Sequence, residues 1–299
     1  MATIPADIEK MDLVKLMNLF HSDERCRDLL EVLRWPDGVA CPRCESMKVW
    51  ETARAQYHCS SCEYRFSVMS GTIFHDTKLS LQRWFLAVAI IIEAKKGISA
   101  SQMKRVLGVS YKTAWYLCHR IRAAMAQVDR PPLTGTIEAD ETYVGGKVRG
   151  KGHGYKGNKT IVAGAVQRGG DVVLQVIDDN GRHTLHGFIR SHTAPSRIMT
   201  DEWPAYHGIE DSDTTHETVN HKAEEWVRGD VHTQTIESVW SLFKRSITGS
   251  YHKLSAKHLD AYLDELEWRF NNRNNSYLFR DTLIKLVKAD SLPYQNLTA

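Results

Sequence analysis

The spacing of apolar residues changes along this chain, and the change divides it. From Met11 to Leu33 the pattern is helical. Leu13, Leu16, Met17 and Phe20 recur at helical spacing, and after Ser22-Asp23, a capping signal, so do Cys26, Leu29, Leu30 and Leu33. Pro36-Asp37-Gly38 then reads as a turn. Three further helical patterns follow a short cysteine-rich stretch. Ser80–Ala94 is the most apolar, through Trp84, Phe85, Val88, Ile91 and Ile92. Ser99 with Gln102 forms a capping box for Ala100–Leu107. Gly108 breaks that helix, and Ser110 opens a third that runs to about Met125, with Ala114, Leu117, Cys118, Ile121 and Met125 as its stripe.

Beyond Arg130-Pro131-Pro132-Leu133, which reads as a linker, alternation replaces the helical period. Thr136–Tyr143, Thr160–Gln167 and Val172–Ile177 are strand patterns, the last two joined by a hairpin turn at Arg168-Gly169-Gly170-Asp171. A helix around His183–Ser191, strands at Arg197–Thr200 and near Glu217–Asn220, and helices at Ile236–Ile247, Ala256–Asn271 and Leu278–Lys288 complete the reading. The fold class is a multidomain α+β and α/β chain. Its expected domains are an N-terminal helical segment at 1–40, a metal-binding ribbon at 41–70, a helix-turn-helix region at 71–130 and a mixed-sheet domain at 131–299.

Composition alters this picture where it is uneven. The net charge of +3 hides ten Lys/Arg against three Asp/Glu in residues 72–130, a local +7. Residues 181–299 carry 14 against 16, a local −2. A basic front suits a polyanion such as DNA. The longest apolar run, Trp84–Ile92, has nine residues, against the roughly 20 that span a bilayer. The opening residues lack the apolar core of a signal peptide, so the chain reads as cytoplasmic.

Four of the six cysteines form two C-x-x-C pairs, Cys41/Cys44 and Cys59/Cys62, separated by the 14 residues 45–58. Four soft sulfur ligands in a tetrahedron suit Zn²⁺, and a closed shell of four is structural. Short strands at Lys48–Glu51 and Gln56–His58 fit a zinc ribbon; a redox pair is the alternative. Cys26 and Cys118 lie on apolar stripes and read as core. The Gly108-containing turn between two helices is a helix-turn-helix pattern. It would present Tyr111, Lys112 and Thr113, with Arg122 farther along, to DNA; the alternative is a helical bundle with a solvated basic face. Gly145–Lys159 holds six glycines and five Lys/Arg. It reads either as a backbone-tracking loop, with Lys147, Arg149 and Lys151 on phosphates, or as an ordinary hairpin loop.

Among 36 acidic residues, context selects three. Asp140 lies on the first strand of the sheet, with Glu138 on its face and Glu141 on the other; Asp201 follows the Arg197–Thr200 strand. Glu237 stands in the first turn of a helix, two turns before Lys244. Convergent carboxylates favour Mg²⁺ or Mn²⁺, and two such ions clamp the oxygens of an in-line phosphodiester displacement. His232, one loop before that helix, reads equally as a DNA or water contact and as a hydrogen bond at the helix start.

These motifs carry a resemblance. Leu33-Arg34-Trp35-Pro36-Asp37-Gly38 leading into Cys41-Pro42-Arg43-Cys44, then Tyr111-Lys112-Thr113-Ala114-Trp115, Asp140-Glu141-Thr142-Tyr143-Val144-Gly145-Gly146-Lys147, Thr200-Asp201-Glu202, His232-Thr233-Gln234-Thr235-Ile236-Glu237 and Arg269-Phe270-Asn271-Asn272-Arg273 follow in order. With them the chain resembles bacterial insertion-sequence transposases of the ISXO-like group over nearly its whole length. Gln234 stands where an asparagine is expected and Ala139 where a valine is. The resemblance implies a ribonuclease-H-like catalytic domain with a DDE set at Asp140, Asp201 and Glu237, and Lys244 as the lysine after the third acid. It implies cleavage of DNA at terminal inverted repeats and strand transfer into target DNA, in a homodimer or higher synaptic assembly at the nucleoid. A catalytically inactive DNA-binding regulator and a nuclease without strand transfer are the competing functions.

Overall fold

The computed structural model describes residues 8–52, 55–127, 130–146, 157 and 159–298. The chain forms two compact units: Met1–Ala126 together with Asn274–Ala299, and Gln127–Arg273.

In the first unit, α1 (Leu13–Leu19) and α2 (Asp23–Arg34) are joined at Ser22, whose hydroxyl accepts from the Arg25 N–H at 3.3 Å, as the capping signal predicts. Cys26, Leu29, Leu30 and Leu33 are the buried face of α2. The ribbon follows as β1 (Val49–Thr52), β2 (Gln56–Cys59) and β3 (Arg65–Phe66), an antiparallel sheet. Trp35, Tyr57 and Phe66 pack together behind it. Arg34 donates to the carbonyls of Val68 (2.6 Å) and Ser70 (2.8 Å), which fastens α2 to the chain leaving the ribbon.

The three expected helices form as α3 (Leu81–Glu93), α4 (Ala100–Leu107) and α5 (Tyr111–Met125). Ser99 and Ser110 cap α4 and α5 through the N–H groups of Gln102 and Thr113, and Gly108 ends α4 in the left-handed conformation at φ 64°. Two later helices also belong here: α9 (Leu278–Lys288) and α10 (Tyr294–Thr298). Phe279, Leu283, Leu286 and Val287 of α9 are buried, and the Phe279 ring meets Phe20 and Phe85. The sheet-bearing unit therefore ends at Arg273, where the sequence suggested 299. The apolar stripe of α9 packs on α2, α3 and α5.

The second unit is built on a five-stranded sheet of order β6-β5-β4-β7-β8, from β4 (Leu133–Val144), β5 (Thr160–Gln167), β6 (Val172–Ile177), β7 (Thr193–Thr200) and β8 (Thr215–Thr218). β4, β5 and β6 pair antiparallel, and β7 and β8 run parallel to β4, which is the ribonuclease-H-like arrangement. Alternation on β4 sorts its residues. Ile137 and Ala139 face α6 (Arg182–His192) with Leu185, Phe188 and Ile189. On the other face lie α7 (Gln234–Ser246) and α8 (Leu259–Asn271), whose Ile236, Trp240, Phe243, Leu263 and Leu266 pack on Val162, Val166 and Leu174.

Candidate active site and metal centre

The four ribbon cysteines converge. Cys41 Sγ lies 3.7 Å from Cys62 Sγ and Cys44 Sγ 3.6 Å from Cys59 Sγ, and all four sulfurs are within 4.8 Å of one another. A disulfide would need about 2.05 Å, whereas a tetrahedron with Zn–S near 2.3 Å has edges of roughly 3.8 Å. The spacing and the all-sulfur donor set fit a structural zinc ion. On the opposite side of the sheet from Tyr57 and Phe66, cross-strand pairing aligns Trp50, His58 and Arg65, with Trp50 and Arg65 exposed.

The carboxylates sit where the sheet dictates. β4 and β7 run parallel with Glu138 opposite Met199. Asp201 immediately follows Thr200, the last residue of β7, on the strand that neighbours the one carrying Asp140. Burial, aided by the charges of Glu141 and Asp201, pushes the Asp140 carboxyl up from its ordinary 3.8 to about 7. The Trp240 indole N–H, donating to Asp140 Oδ2 at 2.9 Å, opposes the shift. Burial and the neighbouring Glu202 likewise raise Asp201, against the pull of His221 and Lys222. Glu237 lies in the first turn of α7, accepting from Thr233 Oγ1 at 2.9 Å and facing His221 Nε2 at 3.7 Å. Asp140, Glu237, Trp240 and Lys244 line one cleft of about 550 Å³, and Asp201 is not in its lining. The three acids do not form a tight ligand set: among the described residues the cysteine quartet is the one group whose ligand atoms are that close.

Close approach of α7 to the sheet depends on Gly164. It pairs with Asp140 across β4 and β5, and a Cβ there would stand 2.6 Å from Trp240 Cζ2. Gly164 and the indole of Trp240 escape a reading from the sequence alone. Glu138 does too, with its full exclusion from solvent. The one available signal was a glycine inside a strand pattern, which often marks close approach.

The residues expected to meet DNA fare unevenly. Tyr111 is 53% exposed at the start of α5. Lys112 is exposed, with its ammonium 4.3 Å from the centre of the Tyr294 ring, and Thr113 Oγ1 is engaged with Ser110 Oγ at 2.9 Å. Arg122 requires correction. It is 2% exposed and donates to the Ile98 carbonyl at 3.3 Å, because its position on α5 turns inward. It is a packing residue and is not available to DNA. Lys147, Arg149 and Lys151 lie outside the described residues. His232 is resolved toward the helix start: its Nδ1 is 3.2 Å from Glu138 Oε1. No helix among the described residues is long and apolar enough to cross a membrane.

Comparison with known proteins agrees with this construction. Residues 132–271 match the ISXO2-like transposase domain, and residues 21–65 match the transposase zinc-ribbon domain. An uncharacterized protein in transposable element ISH50 of Halobacterium salinarum is 30% identical over 275 residues, covering 84% of this chain and 91% of that protein. An uncharacterized transposase-like protein of Haemophilus influenzae is 30% identical over 90 residues, 30% of this chain and 72% of that one. No solved structure matches. Zinc ribbon and mixed-sheet domain together define the class, a transposase-family chain that carries its own zinc ribbon. The chain belongs to the ISXO2-like transposase family.

Proposed function

We propose that this protein is a DNA transposase that cuts DNA at the ends of an insertion sequence and joins those ends to target DNA. The observation that supports the reading is that Asp140 on β4 shares one cleft with Glu237 and Lys244 of α7, while Asp201, just past the end of the parallel neighbour β7, is near enough for its charge to act on Asp140. Asp140, Asp201 and Glu237 would hold Mg²⁺ or Mn²⁺. Three carboxylates are a hard donor set, and a buried Asp140 held toward neutrality is a group that a cation would restore to its charged form. When bound, two such ions stabilise the attacking and leaving oxygens of an in-line displacement. In the first reaction water attacks phosphorus and the 3′-oxygen leaves; in the second, that 3′-hydroxyl attacks a target phosphodiester, and the target's own 3′-oxygen leaves as its P–O bond breaks. Lys244, exposed two turns after Glu237, would orient a phosphate as a salt-sensitive charge contact.

The zinc ribbon and the α4–α5 pair would bind terminal inverted repeats, with Tyr111, Lys112 and Thr113 at the duplex and Lys147, Arg149 and Lys151 on its backbone. Joining two ends requires a homodimer or higher assembly. The test is a strand-transfer assay with purified protein, Mg²⁺ and DNA bearing candidate end repeats. Joined product that disappears in Asp140→Asn supports the reading. Retained activity in Asp201→Ala or Glu237→Ala overturns the site assignment. Sequence-specific binding without any cleavage would replace it with a DNA-binding regulator.

A further inference from the structure

Glu138 has no part in the chemistry above, yet it is a buried charge with both carboxylate oxygens engaged. Its side chain is fully buried. Oε1 accepts from Arg168 Nε at 2.7 Å and Thr235 Oγ1 at 2.8 Å, with His232 Nδ1 at 3.2 Å. Oε2 accepts from the backbone N–H groups of Thr235 at 2.6 Å and Ile236 at 3.1 Å. These are first-turn donors of α7, which Thr233, the residue before the helix, leaves without a side-chain cap. The cap is supplied from β4, 97 residues earlier, as a negative charge at the positive end of the helix dipole. Arg168 completes the arrangement by donating to the carbonyls of Asp230 (2.7 Å) and His232 (3.0 Å), which orders the approach to the helix.

Stability alone does not call for this device, since apolar residues of like volume often serve as well as a buried ion pair. Hydrogen bonds add direction. Glu138 stands two residues before Asp140 on the same strand face, and Thr235 stands two residues before Glu237. The bonds between Glu138 and Thr235 therefore set the distance between the strand that carries the first acid and the helix that carries the third.

We propose that Glu138 and Arg168 are positioning residues of the carboxylate site: they hold the start of α7 on β4 so that Glu237 shares a metal-binding cleft with Asp140. The inference rests on the metal-dependent reading given above, and the test separates the two. Full-length zinc-loaded protein would be compared with Glu138→Gln and Arg168→Lys, measuring the Mn²⁺ dependence of end cleavage, affinity for end DNA and melting temperature. Tryptophan-sensitised Tb³⁺ luminescence without DNA reports the site independently of activity. Glu138→Gln is expected to raise the half-saturating Mn²⁺ and Tb³⁺ concentrations by about 10- to 100-fold, with affinity for end DNA unchanged. Arg168→Lys, which keeps the charge but loses the fork to two carbonyls, shifts them the same way by less and remains the test if Glu138→Gln does not fold. Variants that melt lower yet bind both metals with wild-type affinity overturn the proposal. A Tb³⁺ signal indifferent to Asp140→Asn overturns the catalytic reading itself, and this inference with it.

Discussion

At the scale of single residues, the site is a matter of how closely a tryptophan can approach a carboxylate. Trp240 reaches Asp140 because Gly164, opposite that aspartate, presents no side chain. Gly164→Ala would place a methyl 2.6 Å from the indole, inside the packed interface between β5 and α7. We expect a loss of about 1–3 kcal/mol, as for overpacked cores, together with reduced cleavage, measured by chemical denaturation and the end-cleavage assay. Unchanged stability would mean that α7 yields more easily than its packing suggests. Asp140 carries a second expectation. Its folded pKa is raised, so the fold prefers the neutral acid: the associated stability is complete below its ordinary 3.8 and is lost as pH rises toward about 7. In magnesium-free buffer Asp140→Asn should therefore be more stable than the parent at pH 8, with the gap closing as pH falls toward 4. A gap that widens on acidification would show the sign to be wrong. The sequence offers Asp140 and Asp201 as candidates because they punctuate or follow strand patterns, and Glu237 because it opens a helix. The glycine and the indole that hold Asp140 were not. An apolar run containing Gly and a helix stripe containing Trp look the same whether or not they meet.

At the scale of elements, legibility follows the range of the forces. Helices α2, α4 and α5 announce their starts because Ser22, Ser99 and Ser110 bond to N–H groups three residues on. The start of α7 is set by a carboxylate on another element, so local sequence carries its apolar stripe but not what anchors it. The ribbon is the opposite case. Its strands have four, four and two residues, too short to stand without a staple, and the cysteine spacing states the staple outright. Zinc removal with a strong chelator under reducing conditions should unfold this sheet, with loss of the near-ultraviolet circular dichroism of Trp35 and Tyr57, and zinc alone should restore it. A chelator-treated ribbon with intact signal would mean that the aromatic cluster, not the metal, holds it. The row of Trp50, His58 and Arg65, exposed at Trp50 and Arg65, depends on that sheet, so the proposed binding to end DNA should fall with the same zinc dependence.

At the scale of the whole molecule, chain order and unit order part company. The helix pattern at Leu278–Lys288 was plain, but nothing in it says which surface it covers, and adjacency suggested the sheet-bearing unit. Instead α9 gives Phe279, Leu283, Leu286 and Val287 to the core of the N-terminal unit. Lys10 N–H on the Ser276 carbonyl and Lys285 Nζ on the Ala126 carbonyl, both at 2.8 Å or less, fasten it there. At roughly 1.5–3 kcal/mol for each buried apolar side chain, those four residues represent a large part of the 5–15 kcal/mol that typically holds a domain. Ending the chain after Arg273 should therefore damage the unit most distant in sequence. We expect amide exchange to rise by orders of magnitude in α2, α3 and α5, while protection in β4 and β5 is retained. Loss of protection first in the five-stranded sheet would assign α9 to the wrong core. The functional corollary is that a C-terminal truncation should weaken the end-DNA binding proposed for the ribbon and α5 rather than act through the carboxylates, which all lie within Gln127–Arg273.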